Sequence, residues 1–262
     1  MYLNPILSTQ NEHIKALARL AAKPAERRAR GQLLLEGIHL LDAALNHCLA
    51  VDEVLVQSRA LAHPEVSALL ARLPASCRGH EVSEAVMAKL SSLNTPPELI
   101  AVIPTPAAAA PKADDSLLLL DAVQDPGNLG AILRTAAAAG VRQVWLSPQC
   151  ADPWSAKVLR AGMGAHFAVA LHTDAELTRV LAEFNGPAIV TSLDATQSLY
   201  ALDLRQPCAF VFGNEGAGVS APVLARASHP VRIPMPGVAE SLNVAAAVAV
   251  CLFEQVRQRL PD

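Results

Sequence analysis

Residues 116–140 read SLLLLDAVQDPGNLGAILRTAAAAG, an apolar run followed by a polar turn and an alanine-rich segment. The four consecutive leucines predict a buried strand over Leu117–Leu120. The alanine-rich segment predicts a helix over residues 128–139. Three residues match the usual signals of helix ends: Asp125 as N-cap, Pro126 at the first position and Gly140 just past the end. The stretch therefore predicts a strand, a turn and a helix in succession.

Two further blocks follow the same plan. FGNEGAG (residues 212–218) follows a predicted strand over Ala209–Phe212, and IPMPG (residues 233–237) with ESLNVA (residues 240–245) follows a predicted strand over residues 231–233. Each block puts glycine, proline and a few polar side chains at the carboxyl end of its strand. Ligands bind at that edge in open α/β sheets. The three blocks therefore predict a ligand site.

The rest of the C-terminal half alternates short apolar runs with amphipathic stretches, which predicts an α/β fold with a parallel sheet covered on both faces. Further strands are predicted over residues 143–146, 168–171 and 188–192. Further helices are predicted over residues 153–163, 175–184, 221–227 and 242–258.

The N-terminal part is predicted to be a separate small α/β domain. It contains a predicted strand over residues 32–35, a helix over residues 38–47 and a second strand over residues 51–56. Residues 104–115 carry three prolines and no apolar periodicity, so they are predicted to be a linker. The predicted organisation is a domain over residues 1–103, the linker, and a second domain over residues 116–262.

In this order, the three blocks resemble those of the SpoU/TrmH family of S-adenosylmethionine-dependent RNA ribose 2′-O-methyltransferases, within the SPOUT superfamily. The resemblance covers residues 116–260. It implies transfer of a methyl group from S-adenosyl-L-methionine to a ribose 2′-hydroxyl of structured RNA, rRNA rather than tRNA, without a metal. It also implies a deep C-terminal trefoil knot and a homodimer whose partner subunit helps to complete the site.

Two other segments bear on this resemblance. The segment LLLEGIHLL (residues 33–41) resembles the small substrate-binding domain that precedes many SpoU catalytic domains, and that domain is similar to an RNA-binding ribosomal-protein fold. Arg160-Ala161-Gly162 stands where the family usually has Arg-Ala-Ser. This departure concerns the substrate rather than the chemistry.

The resemblance assigns roles residue by residue. It implies five catalytic residues: Asn128, Arg134, Glu215, Ser241 and Asn243. It implies cofactor contacts, largely through backbone groups, from a second set: Gly213, Ile233, Pro234, Gly237 and Leu242. Arg134 would either bind the ribose-phosphate and lower the pKa of the hydroxyl, or act as a deprotonated general base, although an arginine is an unlikely base by itself.

Each polar residue also has a structural interpretation. Arg134 could form an internal ion pair with Asp121 or Asp125, and Glu215 could cap a helix or pair with Arg134. Ser241 could cap the last helix, and Asn243 could simply bond the backbone.

Other functions stay open on the sequence. The GxxGxG spacing differs from the GxGxxG of dinucleotide sites, and no P-loop lysine follows, which disfavours a nucleotide-dependent oxidoreductase. A non-catalytic RNA-binding or ribosome-assembly protein on the same fold is a further alternative. A methyltransferase that acts on tRNA or on a base is another.

Residues 15–30 hold six basic residues against one acidic residue. Lys15, Arg19 and Lys23 are spaced to share one helical face. With Arg27 they predict a phosphate-contacting stripe that binds RNA. The alternative interpretation is a solvated helix surface.

The composition limits the class of protein. The chain is 52% hydrophobic and 17% charged with a net charge of −3, which indicates a compact globular protein with an apolar self-association surface. The five cysteines form no CxxC pair, so we expect reduced, mostly buried thiols. The histidines lack a metal-ligand spacing such as HExxH, so we expect no metal. No secretory pattern and no apolar run of about 18 residues is present, so we expect a cytoplasmic protein without a membrane partner.

Overall fold

The computed structural model describes residues 2–260. Its strands are β1 (Leu3–Ile6), β2 (Gln32–Glu36), β3 (Glu53–Gln57), β4 (Arg78–Val82), β5 (Leu99–Pro104), β6 (Leu117–Leu120), β7 (Gln143–Leu146), β8 (Ala170–His172), β9 (Ala188–Thr191), β10 (Ala209–Phe212) and β11 (His229–Val231). Its α-helices are α1 (Glu12–Ala22), α2 (Pro24–Arg30), α3 (Ile38–Asn46), α4 (Pro64–Arg72), α5 (Glu84–Leu90), α6 (Pro126–Ala138), α7 (Ala156–Gly162), α8 (Leu177–Glu183), α9 (Ala221–Leu224) and α10 (Val244–Arg259).

These elements form two compact units. The first combines Met1–Pro106 with Asp152–Phe167, and the second combines Ala107–Ala151 with Ala168–Asp262. The first unit contains β1 to β5, α1 to α5 and α7. The second contains the remaining strands and helices.

The first unit is built on a five-stranded mixed sheet in the order β1-β4-β3-β5-β2. Successive side chains of a strand point to opposite faces. On β2, Leu33 and Leu35 therefore enter a core with α3 and α4, whereas Leu34 enters a second core with α1 and α5. Burial of both faces explains why β2 is a continuous apolar run rather than an alternating one. The predicted strand over residues 32–35 and the predicted helix over 38–47 are confirmed.

Helix α7 belongs to the first unit, although the sequence predicts a continuous second domain over residues 116–262. Leu159 of α7 is fully buried in the same core as Leu33 and Leu35. Arg160 Nη1 also donates to the carboxylate of Glu36 at 3.0 Å. Apolar burial and this ion pair attach α7 to β2, so the first unit includes a segment from far along the chain.

The second unit is built on six parallel strands in the order β11-β9-β10-β6-β7-β8, which confirms the predicted parallel sheet. The central strands β6 and β10 are buried along their whole length. One face packs against residues of α8 and α9, among them Leu181 and Val223. Helix α10 packs against both α6 and β10.

Most strand positions in this unit are confirmed, and one is corrected. Strands β6, β7 and β10 have the predicted ends, and β8 begins two residues later than predicted. The strand predicted over residues 231–233 is instead His229–Val231, which pairs only with β9. An edge strand tolerates Pro230 because one side of it needs no ladder donor. Ile233 is therefore in the loop that follows.

Of the two predicted helix N-caps, one is confirmed and the other is wrong. The Asp125 carboxylate caps α6 by accepting the backbone N–H of Asn128 at 2.8 Å, as predicted. Helix α10 begins two residues later than predicted, and its N-cap is Asn243 rather than Ser241. Among the helices between residues 2 and 260, none has the length and apolar character needed to cross a bilayer.

Arg27 is a buried cation, and its removal should destabilise the first unit. Its guanidinium donates to the carbonyl oxygens of Leu20 and Ala21 at 2.9 and 2.7 Å, and to the carboxylate of Asp152. We expect Arg27→Ala to lower the free energy of unfolding by about 2–3 kcal/mol, because a partly buried carboxylate and two carbonyls lose their donor. Arg28→Ala, on the exposed side of the same helix, should change it by less than about 0.5 kcal/mol. Urea unfolding of both variants measures the difference, and equal losses would contradict the role of Arg27.

Gly213, just after β10, lies against the backbone of the turn that it opens. A Cβ there would be 2.1 Å from the carbonyl carbon of Gly218 and 2.2 Å from the nitrogen of Val219. At Gly216 the nearest atom to such a Cβ would be 3.6 Å away. We expect Gly213→Ala to lower the free energy of unfolding by about 3 kcal/mol because backbone would have to move, and Gly216→Ala by less than about 1 kcal/mol. Thermal unfolding compares the two, and a tolerated Gly213→Ala would show that the turn can open.

Candidate functional site

The three sequence blocks meet at the carboxyl edge of the sheet in the second unit. Strands β6 and β10 are neighbours, with Leu120 opposite Phe212, so they end at the same level. The first block joins β6 to α6, and the second follows β10. The third block leads into α10, which packs against α6 and β10. The start of α10 reaches this edge, where Asn243 contacts Asn128 of the first block.

Three of the five predicted catalytic residues form one hydrogen-bonded set. Asn243 Nδ2 donates to Asn128 Oδ1 at 2.9 Å, and Asn128 Nδ2 donates to Glu215 Oε1 at 2.9 Å. Asn243 Oδ1 meanwhile accepts the backbone N–H of Ala245 at 2.9 Å. The structural role proposed for Asn243, bonding to backbone, thus coexists with its place in the set. One residue from each block is held in a defined position.

The second block is a closed turn that presents Glu215 at its tip. Asn214 and Gly218 exchange both backbone hydrogen bonds, at 3.0 and 2.9 Å. Asn214 Oδ1 accepts the backbone N–H of Gly216 at 3.0 Å, and Asn214 Nδ2 donates to the carbonyl of Ala122 at 3.0 Å. Asn214 therefore fixes the turn on itself and on the first block, a role that sequence reasoning missed.

The end of β6 is held at two further points, by Ser220 just after the second block and by Ser147 just after β7. The buried carboxylate of Asp121 accepts the backbone N–H of Ser220 at 2.9 Å. Ala122, the next residue, has a φ of +58°, a left-handed conformation that residues with a side chain seldom adopt. Its N–H donates to Ser147 Oγ at 2.9 Å, which helps to hold this conformation. The backbone at the site is therefore constrained from several sides.

Arg134 lies on α6 with an exposed side chain. The proposed internal ion pair is not found, because Asp121 is bound to the backbone of Ser220 and Asp125 caps α6. Within residues 2–260, no carboxylate lies within salt-bridge distance of the Arg134 guanidinium. The cation is thus free to meet an anion from solvent.

A small cavity of about 160 Å³ opens beside the third block. Three predicted residues line it: Ile233, Ser241 and Leu242. The other predicted cofactor residues, Gly213, Pro234 and Gly237, are not part of this lining.

Sequence reasoning missed the other side of the cavity. Thr191, Ser192 and Leu193 come from the end of β9, and Met235 and Ala247 complete the lining. The three β9 residues follow the same rule as the blocks, since they lie at the carboxyl end of a parallel strand. Neither glycine nor proline marks them in the sequence.

The thiols of the second unit are not poised for nucleophilic chemistry. Cys150, near the end of β6, donates to the carbonyl of Leu120, and burial raises its pKa above the usual value. Burial also raises the pKa of Cys208 to about 11 and that of Cys251 to about 12. These thiols are therefore protonated at neutral pH. The site offers two amides, a carboxylate and a guanidinium instead.

The basic stretch of the first unit is only partly available to a ligand. Arg27, predicted to contact RNA, is buried and engaged by Asp152 and two carbonyls, so it holds the fold together and cannot belong to an exposed stripe. Lys15 Nζ is 2.8 Å from Glu12 Oε1, and Arg19 Nε is 4.0 Å from Glu26 Oε1, so both cations already have an acidic neighbour.

Lys23 lies at the junction of α1 and α2 with an exposed side chain. Unlike Lys15 and Arg19, it has no carboxylate within salt-bridge distance among residues 2–260.

Two family models match the chain. The model of the SpoU rRNA Methylase family matches residues 115–253. The model of the MRM3-like substrate binding domain matches residues 11–101.

Curated relatives match nearly the whole chain. An uncharacterized tRNA/rRNA methyltransferase of Synechocystis sp. is 40% identical over 97% of this chain and 94% of its own. The 23S rRNA (guanosine(2553)-2′-O)-methyltransferase RlmP of Bacillus subtilis is 32% identical over 96% of this chain and 98% of its own.

Solved structures have the same fold over the same extent. The SpoU methyltransferase AviRb from Streptomyces viridochromogenes, in complex with AdoMet, superimposes with a TM-score of 0.87 at 26% identity, covering 95% of this chain and 98% of its own. An AdoMet-bound rRNA methyltransferase from Sinorhizobium meliloti gives a TM-score of 0.86 at 27% identity, covering 99% of both chains. The chain therefore belongs to the SpoU rRNA methylase family.

Proposed function

We propose that this protein transfers a methyl group from S-adenosylmethionine to a ribose 2′-hydroxyl of structured RNA, with rRNA as the substrate class. The observation that carries the proposal is the hydrogen-bonded set of Asn128, Glu215 and Asn243 at the carboxyl edge of the sheet. The relatives support it, since the Bacillus subtilis protein is named as a 23S rRNA 2′-O-methyltransferase and two solved relatives hold AdoMet.

The cavity beside the third block suits part of the cofactor. Leu193, Met235 and Leu242 offer apolar surface to an adenine ring, and the hydroxyls of Ser192 and Ser241 offer hydrogen-bonding groups. The volume of about 160 Å³ is below the roughly 300–1,000 Å³ of most ligand sites, so the cavity would hold one part of the molecule. When bound, S-adenosylmethionine supplies a sulfonium whose methyl group is the electrophile.

A 2′-hydroxyl is a poor nucleophile, so its proton must pass to solvent water as the oxygen–methyl bond forms and the sulfur–methyl bond breaks. The guanidinium of Arg134, which no carboxylate among residues 2–260 pairs with, can bind a ribose or phosphate oxygen and stabilise the negative charge that develops there. The guanidinium of an arginine is a poor general base, and we therefore assign Arg134 electrostatic activation rather than general-base catalysis. The fixed amide of Asn128 and carboxylate of Glu215 would orient the acceptor ribose.

The first unit is proposed to bind the RNA. Its match to a substrate-binding domain model supports this role, as does the run of basic residues on α1 and α2. Lys15, Arg19 and Lys23 are the candidate phosphate contacts. Their effect would be independent of sequence, because phosphate contacts position the RNA without reading its bases.

We further propose the trefoil knot and the homodimer that are typical of the family. The chain leaves β11 at one edge of the sheet and reaches α10, which packs against α6 and β10, so the third block has to cross the end of the sheet. For the dimer, large apolar side chains are exposed on and around α10: Val238, Leu242, Phe253 and Leu260. Large apolar side chains left exposed on and beside one helix support an association site there.

The catalytic role of Arg134 is tested by methyl transfer to unmodified rRNA and tRNA, read as modified nucleosides by mass spectrometry. We expect the wild type to form a 2′-O-methylated nucleoside in rRNA. Arg134→Ala should lower turnover by at least about 100-fold, because it removes a charge that acts on the transition state. Calorimetry with S-adenosylmethionine should show unchanged cofactor affinity.

Arg142→Ala is the matched control, since Arg142 is exposed at the amino end of β7, away from the site edge. It should retain full activity. Parallel loss of cofactor affinity and activity in Arg134→Ala would contradict the division of roles, and a product in tRNA alone would overturn the rRNA assignment.

Charge reversal tests the RNA contacts of the first unit. We expect the triple variant Lys15→Glu, Arg19→Glu, Lys23→Glu to bind RNA more weakly and to reduce the slope of log K against log salt by about 2, because each lost phosphate contact removes about 0.7–0.9. Arg59→Glu, an exposed position elsewhere in the unit, is the control. Unchanged binding across the salt series would identify the stripe as a solvated surface.

A further inference from the structure

Two histidines and a glutamate converge in the first unit, remote in sequence from the blocks described above. His13 lies on α1, Glu53 on β3 and His80 on β4. Glu53 Oε1 is 2.5 Å from His13 Nε2 and 3.4 Å from His80 Nε2. One ligand atom from each residue lies within 4.8 Å of the others. Within residues 2–260 this is the one group of histidine, cysteine and acidic side chains with such a geometry.

The hydrogen bonding of this group is incomplete. Glu53 is only 1% exposed and receives Arg78 Nη2 on its Oε2 at 3.0 Å, so its charge is compensated. His80 is different, because within residues 2–260 neither of its buried ring nitrogens makes a hydrogen bond of normal geometry, and Nε2 has only the 3.4 Å contact with Glu53. Buried polar atoms in native proteins nearly always have a partner, which can be an ion. The ion pair between Glu53 and Arg78 supplies no hydrogen-bond partner to the ring nitrogens of His80.

The donor set matches that of a zinc site. Two imidazoles and one carboxylate are the protein ligands of a common class of three-ligand zinc centres, in which a water takes the fourth position. Bonds of about 2.0–2.1 Å with tetrahedral angles place ligand atoms about 3.4 Å apart, the separation seen for Glu53 and His80. Arg78 would act as the outer partner that orients the carboxylate.

The fourth position has room for water. A groove of about 740 Å³ opens at the cluster and is lined by His13, His80 and Arg78 together with polar residues such as Asn4 and Asn11. Solvent would reach a metal here from the side of His13, whose side chain is 35% exposed, because Glu53 and the ring nitrogens of His80 are buried.

We propose that His13, Glu53 and His80 bind one Zn²⁺ ion. The ion would give one ring nitrogen of His80 a partner and would replace the close contact between His13 and Glu53. It would also cross-link α1 to β3 and β4, which are 40 and 67 residues further along the chain than His13.

The test is calorimetric titration of the full chain with Zn²⁺ alone. Every protein carries Cys48→Ser, because Cys48 is an exposed thiol that could bind the metal by itself. We expect one site per chain, weakened at least about 100-fold in His13→Gln and in His80→Gln, since even outer-sphere partners are worth about 10–100-fold. His39→Gln, an exposed histidine of the same unit, should bind like the parent. The matched substitutions separate the cluster from surface histidines.

Further measurements separate loss of metal binding from loss of folding and report the coordination of the metal. Circular dichroism without metal should show that the variants fold, and the parent but not His80→Gln should gain thermal stability when Zn²⁺ is added. Co²⁺ in place of Zn²⁺ should give the visible absorption of a four-coordinate site. The proposal is overturned if the parent binds Zn²⁺ no more tightly than the His13→Gln/His80→Gln double variant, in which case the cluster is an ion-pair network only.

Discussion

The side-chain amide of Asn243 is the interaction on which the site depends. Its oxygen caps α10, and its nitrogen donates to Asn128, which in turn donates to Glu215. Aspartate could cap the helix but could not donate, and serine is too short to do both. The start of the last helix and the position of the carboxylate are therefore set by one residue. Because α10 also packs on α6, the stability of the helix pair and the geometry of the site are coupled.

The parallel sheet places the first two blocks next to each other. Parallel neighbours end at the same edge, so β6 and β10 deliver the first two blocks side by side whatever their separation in sequence. The Ala122 carbonyl, which accepts from Asn214, and the Asp121 carboxylate, which accepts from Ser220 just past the second block, then hold the two blocks together. Preorganisation of this kind leaves little to rearrange when a ligand arrives. It suits chemistry in which the protein contributes position and charge while the cofactor contributes reactivity.

The sequence predicts central elements better than peripheral ones, for physical reasons. Strands buried on both faces, such as Leu117–Leu120, are continuous apolar runs with sharp ends. The edge strand His229–Val231 is short and half-exposed, so its pattern is weak. Ser241 and Asn243 are both good N-caps, and only packing decides between them. The cluster around Glu53 escapes any spacing rule because its members come from a helix and two strands.

The return of Asp152–Phe167 to the first unit ties the order of folding to the order of synthesis. When residues 1–106 have left the ribosome, their core still lacks Leu159 and the carboxylate that pairs with Arg27. Both arrive only after two strands and the first helix of the second unit have been made. The first unit therefore cannot finish folding as an independent domain, and its completion waits for chain that belongs, by position, to the other half of the protein.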